Sequence, residues 1–199
     1  MAITPKQFEE MQRRMARPKP APAFKAGIRP TAAGEIIIGI DPSLRGTGWG
    51  VIRTGKPQAQ ALDYGTISCP AGWERSRCLA RISLTLRDVL VKHHPEVCAI
   101  EGLFYAQNLQ TALIMGEARG AALAVLAEAG LEIFEIAPRK VKQAIVGYGA
   151  AQKSAVAKMV QRELRLTETP GADAADALAL ALACSHERGR FGLVTAKRV

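Results

Sequence analysis

The sequence predicts an α/β domain with one mixed five-stranded sheet, three antiparallel strands followed by two parallel ones, flanked by helices. Three observations predict it. Two short apolar runs, Ile36 to Asp41 and Val97 to Glu101, each end in an acid; a glycine-rich stretch follows the first; and from residue 74 onward helical periods alternate with short apolar runs.

Glu35 to Asp41 is a near-continuous apolar run of the kind a central strand buried on both faces requires. Pro42 to Gly48 reads as a Gly-rich turn, Trp49 to Arg53 as a second strand and Ala61 to Ser68 as a third. In residues 74–93, Leu79, Ile82, Leu86, Val89 and Leu90 share one helical face while Arg75, Arg77, Arg81 and Arg87 lie mostly off it, and Pro95 stops the helix. Val97 to Glu101 is the fourth strand. Residues 108–129 form an alanine-rich helix in which Gly116 and Gly120 permit close approach of another helix, inside the domain or across a dimer. Leu131 to Ile136 is the fifth strand, and helical patterns follow at 138–146, 151–165 and 173–187. This is the element order of the RNase H-like fold.

At 199 residues, 48% of them apolar, the chain suffices for one well-buried domain with tails. Its net charge of +9 suggests a polyanionic partner, yet that charge is unevenly spread. Residues 1–34 hold seven basic side chains against two acidic ones and five of the eleven prolines, which marks a basic, Pro-rich disordered arm. Residues 188–199 read as a second basic tail, with Arg188, Arg190, Lys197 and Arg198, leaving a nearly neutral domain over 35–187. Any nucleic-acid surface on the domain must then come from locally placed cations. Cys69, Cys78, Cys98 and Cys184 form no Cys-x-x-Cys pair, so free buried thiols in a reducing compartment are expected. No apolar run approaches the roughly 20 residues of a membrane span, and the N-terminus lacks a secretory apolar segment. A cytoplasmic protein without membrane contact is expected.

Asp41 and Glu101 each terminate an apolar strand, and in such a sheet the first and fourth strands can lie parallel and adjacent, opening to solvent at their carboxyl ends. Asp173 and Asp176 stand three apart on a helix and so share a face, with small alanines around them. Hard divalent cations take oxygen ligands, and a pair of them can activate water and stabilise the leaving oxygen of a phosphodiester. Three of the acids also have a plainer use: Asp173 as a helix cap, Asp176 against the helix dipole, Asp41 in its turn. Glu101, at the end of a buried strand, has no such use.

The ordered set Ile40-Asp41-Pro42 with Gly46-Thr47-Gly48, Ile100-Glu101 with Phe104, Val141-Lys142-Gln143 with Val146-Gly147, Lys153-Ser154, and Ala172 to Ala179 resembles the RuvC family of Holliday junction resolvases, from about Ile36 to His186. The resemblance implies a homodimer that binds four-way junction DNA and makes paired symmetric nicks with two Mg²⁺ ions per site, for which Mn²⁺ can substitute. It makes Asp41, Glu101, Asp173 and Asp176 the catalytic and metal-binding acids, and Phe104 the aromatic that stacks on a base near the junction centre. Lys142 and Lys153 match lysines near the scissile phosphate, and a branch-migration helicase is implied as partner. Ser43 stands where the family usually has Gly.

Arg139 and Lys140 extend Lys142 into a basic cluster expected to bind DNA, although a solvated helix face would look the same. The stretch Gly147 to Ser154 superficially suggests a phosphate loop, but Gln152 replaces its second glycine and a helix precedes it. An actin-like ATPase, suggested by Gly39 to Gly48, would need a second duplicated half for which the chain has no room. A non-catalytic junction-binding protein leaves the carboxylates unexplained. A same-fold nuclease for other branched nucleic acids is separated poorly by sequence.

Overall fold

The computed structural model describes residues 34–102, 109–189 and 197–199. The N-terminal arm and Phe104 lie outside the described residues. Strands β1 (Ile36–Asp41), β2 (Gly46–Arg53) and β3 (Gln60–Ser68) form an antiparallel meander, followed by helix α1 (Arg75–His93). Then come β4 (Val97–Glu101), α2 (Leu109–Glu128), β5 (Glu132–Ile136), α3 (Pro138–Val146), α4 (Lys153–Glu163) and α5 (Ala172–Gly189). A two-residue strand, β6 (Lys197–Arg198), closes the sequence of elements. The sheet order is β3-β2-β1-β4-β5-β6, with β1, β4 and β5 parallel. All five expected strands are present, and β6 adds a sixth antiparallel to β5.

Strand alternation divides the core. Ile38 and Ile40 of β1, with Cys98 and Ile100 of β4, face α1 and α2. Ile37 of β1, with Val97 and Ala99 of β4, faces α3, α4 and α5. Helix α5 is buried nearly all round, from Ala174 to Cys184 save Asp176, because the sheet covers one side and α3 and α4 the other. Alanines at 174, 175, 177, 179, 181 and 183 make it slim enough for that position.

The sheet is thinned to receive it. A Cβ on Gly39 would lie 1.9 Å from the Ala177 carbonyl oxygen, and one on Gly48 would lie 2.0 Å from the Asp173 carbonyl oxygen. The expected turn through Gly46-Thr47-Gly48 is therefore corrected: these residues are the start of β2, paired with β1 and β3. Their glycines serve close packing of a helix on a strand instead of a bend.

Two further expectations are revised. Arg188 does not belong to a solvated tail, because α5 runs to Gly189 and the Arg188 side chain is 2% exposed. It bonds Glu35 Oε1 at 2.8 Å and Glu132 Oε2 at 3.2 Å and lies over the Phe134 ring, tying the starts of β1 and β5 to the end of α5. The expectation that no apolar stretch reaches membrane-spanning length also fails for α2, a 20-residue helix in which an 18-residue stretch has a mean hydropathy of 1.2, sufficient by length and composition alone. Its buried residues, Ala118, Arg119, Ala122, Val125 and Leu126, dock it on the sheet. Much of its remaining apolar surface faces outward.

Because Gly39 meets main-chain atoms that cannot swing away, Gly39→Ala is expected to lower unfolding free energy by about 1–3 kcal/mol or more. Gly72, with nothing within 4 Å of a built Cβ, is the control, and Gly72→Ala should change it by less than about 0.5 kcal/mol in urea denaturation.

Candidate active site

Asp41 and Glu101 are the last residues of neighbouring parallel strands, one step past the aligned pair Ile40 and Ile100. By alternation both continue the face that Ile37 and Ala99 turn toward α5. On that face the first turns of α5 present Asp173 and Asp176, three residues apart. The Asp173 carboxylate reaches over β2, where a Cβ on Gly46 would lie 2.8 Å from its Oδ2. The turn after Asp41 is closed by Thr47: its hydroxyl donates to the Ser43 carbonyl at 2.6 Å and accepts from the Ser43 N–H at 3.2 Å. Ser43 thus fits the turn through its main chain.

Electrostatics show how closely the acids are set. Burial raises the pKa of Asp41, with Asp176 and Asp173 adding repulsion. Burial, then the negative charge of Asp41, pushes Glu101 up to about 8. The two carboxyls share a hydrogen bond in which the Glu101 carboxyl donates and Asp41 accepts. Lys153, the first residue of α4, donates from Nζ to Asp176 Oδ2 at 2.6 Å, and this bond raises the lysine pKa. The sequence thus placed all four acids in one crevice, and Lys153 beside them. Among the described residues no three His, Cys, Asp or Glu side chains are drawn together closely enough to hold a metal ion as they stand; Glu101 shares its proton with Asp41, and Lys153 holds Asp176.

Beside the acids opens a cleft lined by Glu101, Asp176, Lys142 and Lys153 above an apolar floor of Pro138, Val141, Val156 and Leu180. Lys142 and Lys153 therefore share the site as expected. Arg139 and Lys140 do not line the cleft; Arg139 packs along Gly149, where a Cβ would lie 2.5 Å from its Cγ. Exposed Tyr148 lies in the same loop.

Sequence reasoning missed Arg119 and Glu135. Arg119 is buried, donates from Nη1 to the Glu101 carbonyl at 2.8 Å and from Nη2 to the Glu135 carboxylate. The available signal was modest: Arg119 is the only basic residue of α2.

The family model for crossover junction endodeoxyribonuclease RuvC matches residues 37–186. A crossover junction endodeoxyribonuclease RuvC of Akkermansia muciniphila is 47% identical over 146 residues, 73% of this chain and 87% of that protein. The Halorhodospira halophila enzyme of the same name is 43% identical over 152 residues, 76% of this chain and 90% of that protein. Thermus thermophilus RuvC in complex with Holliday junction substrate superposes with a TM-score of 0.75 at 33% identity, covering 83% of this chain and 99% of that one. The yeast mitochondrial Holliday junction resolvase Ydc2 shares the fold at 15% identity and a TM-score of 0.52. With its strand-end acids and α5 acids converging in the matched region, the chain belongs to the RuvC family of crossover junction endodeoxyribonucleases.

Proposed function

We infer that the chain is a Holliday junction resolvase that cuts four-way DNA by metal-assisted phosphodiester hydrolysis. The observation that carries this reading is the convergence of Asp41, Glu101, Asp173 and Asp176 in one crevice with Lys153 at its edge. An all-oxygen donor set suits Mg²⁺, with Mn²⁺ as substitute, and two ions per site match the number of carboxylates. The residues fit such ions, because the crevice concentrates negative charge that the chain itself only partly relieves. Bound there, divalent ions would supply activation of a water and neutralisation of charge on the phosphate. Asp41 and Glu101, fixed by adjacent strands, and Asp173 and Asp176, fixed by α5, would hold them. Lys142 and Lys153 face the same cleft and would offset charge developing on the phosphate.

A homodimer fits the outer face of α2. Leu109 is 77% exposed and Leu113 60% exposed, and nothing lies within 4 Å of Cβ positions built on Gly116 and Gly120. An apolar stripe of this kind is suited to a second copy of the same helix. Two active sites related by a twofold axis would account for symmetric nicks in opposed strands. The four free cysteines, all buried, support the reducing cytoplasm as the working compartment. A branch-migration motor as partner rests on the family resemblance alone.

With Mg²⁺ the purified protein is expected to nick a synthetic four-way junction on two opposed strands and to spare linear duplex, as read on denaturing gels. Asp41→Asn should abolish cleavage and keep junction binding in a mobility-shift assay; no cleavage by the unmodified protein on any of several junction sequences would sink the reading.

In metal-free protein Glu101 keeps its proton up to about pH 8, against 4.5 for an ordinary glutamate. The folded state therefore binds more protons than the unfolded state across that window, and stability must fall as pH rises through it. Melting of the metal-free protein should drop by on the order of 5 °C between pH 6 and pH 9. Glu101→Gln should flatten this dependence, and Mn²⁺ binding below pH 8 should release protons, measurable by calorimetry in buffers of different ionisation enthalpy.

Leu113→Asp places a charge in the proposed dimer stripe. It should shift the molecule from dimer to monomer in sedimentation and reduce paired nicking while leaving the monomer folded; an unchanged dimer would place the contact elsewhere.

A further inference from the structure

We infer that Arg119 is a positioning residue for Glu101, acting through the main chain with Glu135 as its anchor. This rests on the reading of Glu101 as a metal-holding acid of a junction nuclease. The chain leaves the sheet immediately after Glu101, at the point where ladder hydrogen bonds stop. Its main-chain groups there still need partners. The Gly102 N–H donates to the Ile136 carbonyl at 3.0 Å, and the Glu101 carbonyl accepts from Arg119 Nη1 at 2.8 Å. The second arm of the same guanidinium binds the Glu135 carboxylate.

Geometry separates this role from charge neutralisation. The Glu101 side chain faces α5, whereas Arg119 and Glu135 belong to the opposite face, the one covered by α2. The cation that acts on the Glu101 carboxyl is Lys153. Arg119 fixes where the peptide unit behind that carboxyl sits. Gly102 completes the bracket, since a Cβ there would lie 3.2 Å from Glu135 Cγ, and the side chain of Glu135 runs against bare backbone.

A buried ion pair is a poor source of net stability, because desolvating both charges offsets their attraction. Arg119 is 6% exposed in a helix whose other buried residues are Ala118, Ala122, Val125 and Leu126, where an aliphatic residue would pack without that cost. What an aliphatic residue cannot do is donate in two fixed directions at once. The planar guanidinium can, and a lysine ammonium on a flexible stem cannot hold the same pair of acceptors in one geometry. Arg119 also stands on the first helix after residues 103–108, so the segment carrying Phe104 is bounded by Glu101 at one end and by the helix that grips the Glu101 carbonyl at the other.

The test uses full-length Arg119→Lys, Arg119→Met and Glu135→Gln proteins, with four readouts: melting temperature, junction binding without divalent metal, Mn²⁺ binding without DNA by electron paramagnetic resonance, and single-turnover cleavage at saturating junction. Arg119→Lys is expected to remain folded at the assay temperature and bind junction within about twofold of the unmodified protein. Its Mn²⁺ affinity and cleavage rate should each fall about 10–100-fold, the range typical of residues that orient metal ligands. Glu135→Gln, which keeps an acceptor oxygen, should fall less and in the same direction, and it serves as the test variant if Arg119→Met does not fold. Mn²⁺ affinity and cleavage left unchanged in folded variants would overturn the inference. So would a loss of junction binding and melting temperature in proportion to the loss of cleavage, which is the signature of a purely structural role. Unmodified protein that binds Mn²⁺ yet cuts no junction would refute the assigned function, and the Mn²⁺ comparison among variants would still decide the role of Arg119.

Discussion

The seating of α5 directly on the backbone of β1 and β2 is the constraint on which the rest of the molecule depends. Gly39 and Gly48 leave the sheet without side chains where the helix crosses, and the helix answers with alanines. Ordinary side chains at those positions would hold the helix several ångströms further off, at the roughly 10 Å spacing of packed layers. Asp173 and Asp176 would then stand above the strand-end acids instead of among them. The same helix closes the far end of the sheet, where Arg188 grips Glu35 and Glu132. One element thus fixes the site at one end and the strand starts at the other.

Bringing four carboxylates together costs stability, and the chain manages that cost with its own groups. Glu101 retains a proton and donates it to Asp41, while Lys153 reaches across from α4 to Asp176. A scaffold with no use for concentrated negative charge would not keep it in a half-buried crevice. The arrangement makes sense if divalent ions take over the work of the proton and the lysine, which then becomes available to phosphate. The charge distribution agrees with this. The domain carries little net positive charge of its own, and the cations that line the cleft beside the acids are Lys142 and Lys153.

Particular residues show how far sequence reading reached. The acids that end Ile36–Asp41 and Val97–Glu101 already stood at the carboxyl ends of two strands expected to lie parallel and adjacent, and the three-residue spacing of Asp173 and Asp176 put them on one helix face. Lys142 and Lys153 came out beside the acids as the family resemblance implied. The same reading took Gly46-Thr47-Gly48 for a turn, because a glycine that bends a chain and a glycine that admits a helix look alike in one dimension. It put Arg188 in a solvated tail, since its partners Glu35 and Glu132 lie 153 and 56 residues away in sequence. Arg119 was passed over for the same reason: a single arginine in an apolar helix carries no sign of which carbonyl it will meet.

The sequence by itself determined what depends on periodicity and local chemistry: the strands and helices, the end of the sheet at which Asp41 and Glu101 fall, and the donor chemistry of the site. Only the tertiary structure decided what depends on distance between remote segments. It set how close α5 lies to β2, which cation neutralises which acid, how the Glu101 carbonyl is held, and which face of α2 stays open. Periods of two and 3.6 residues are written into neighbouring positions, whereas a contact between residues far apart in the chain exists only once packing has brought them together.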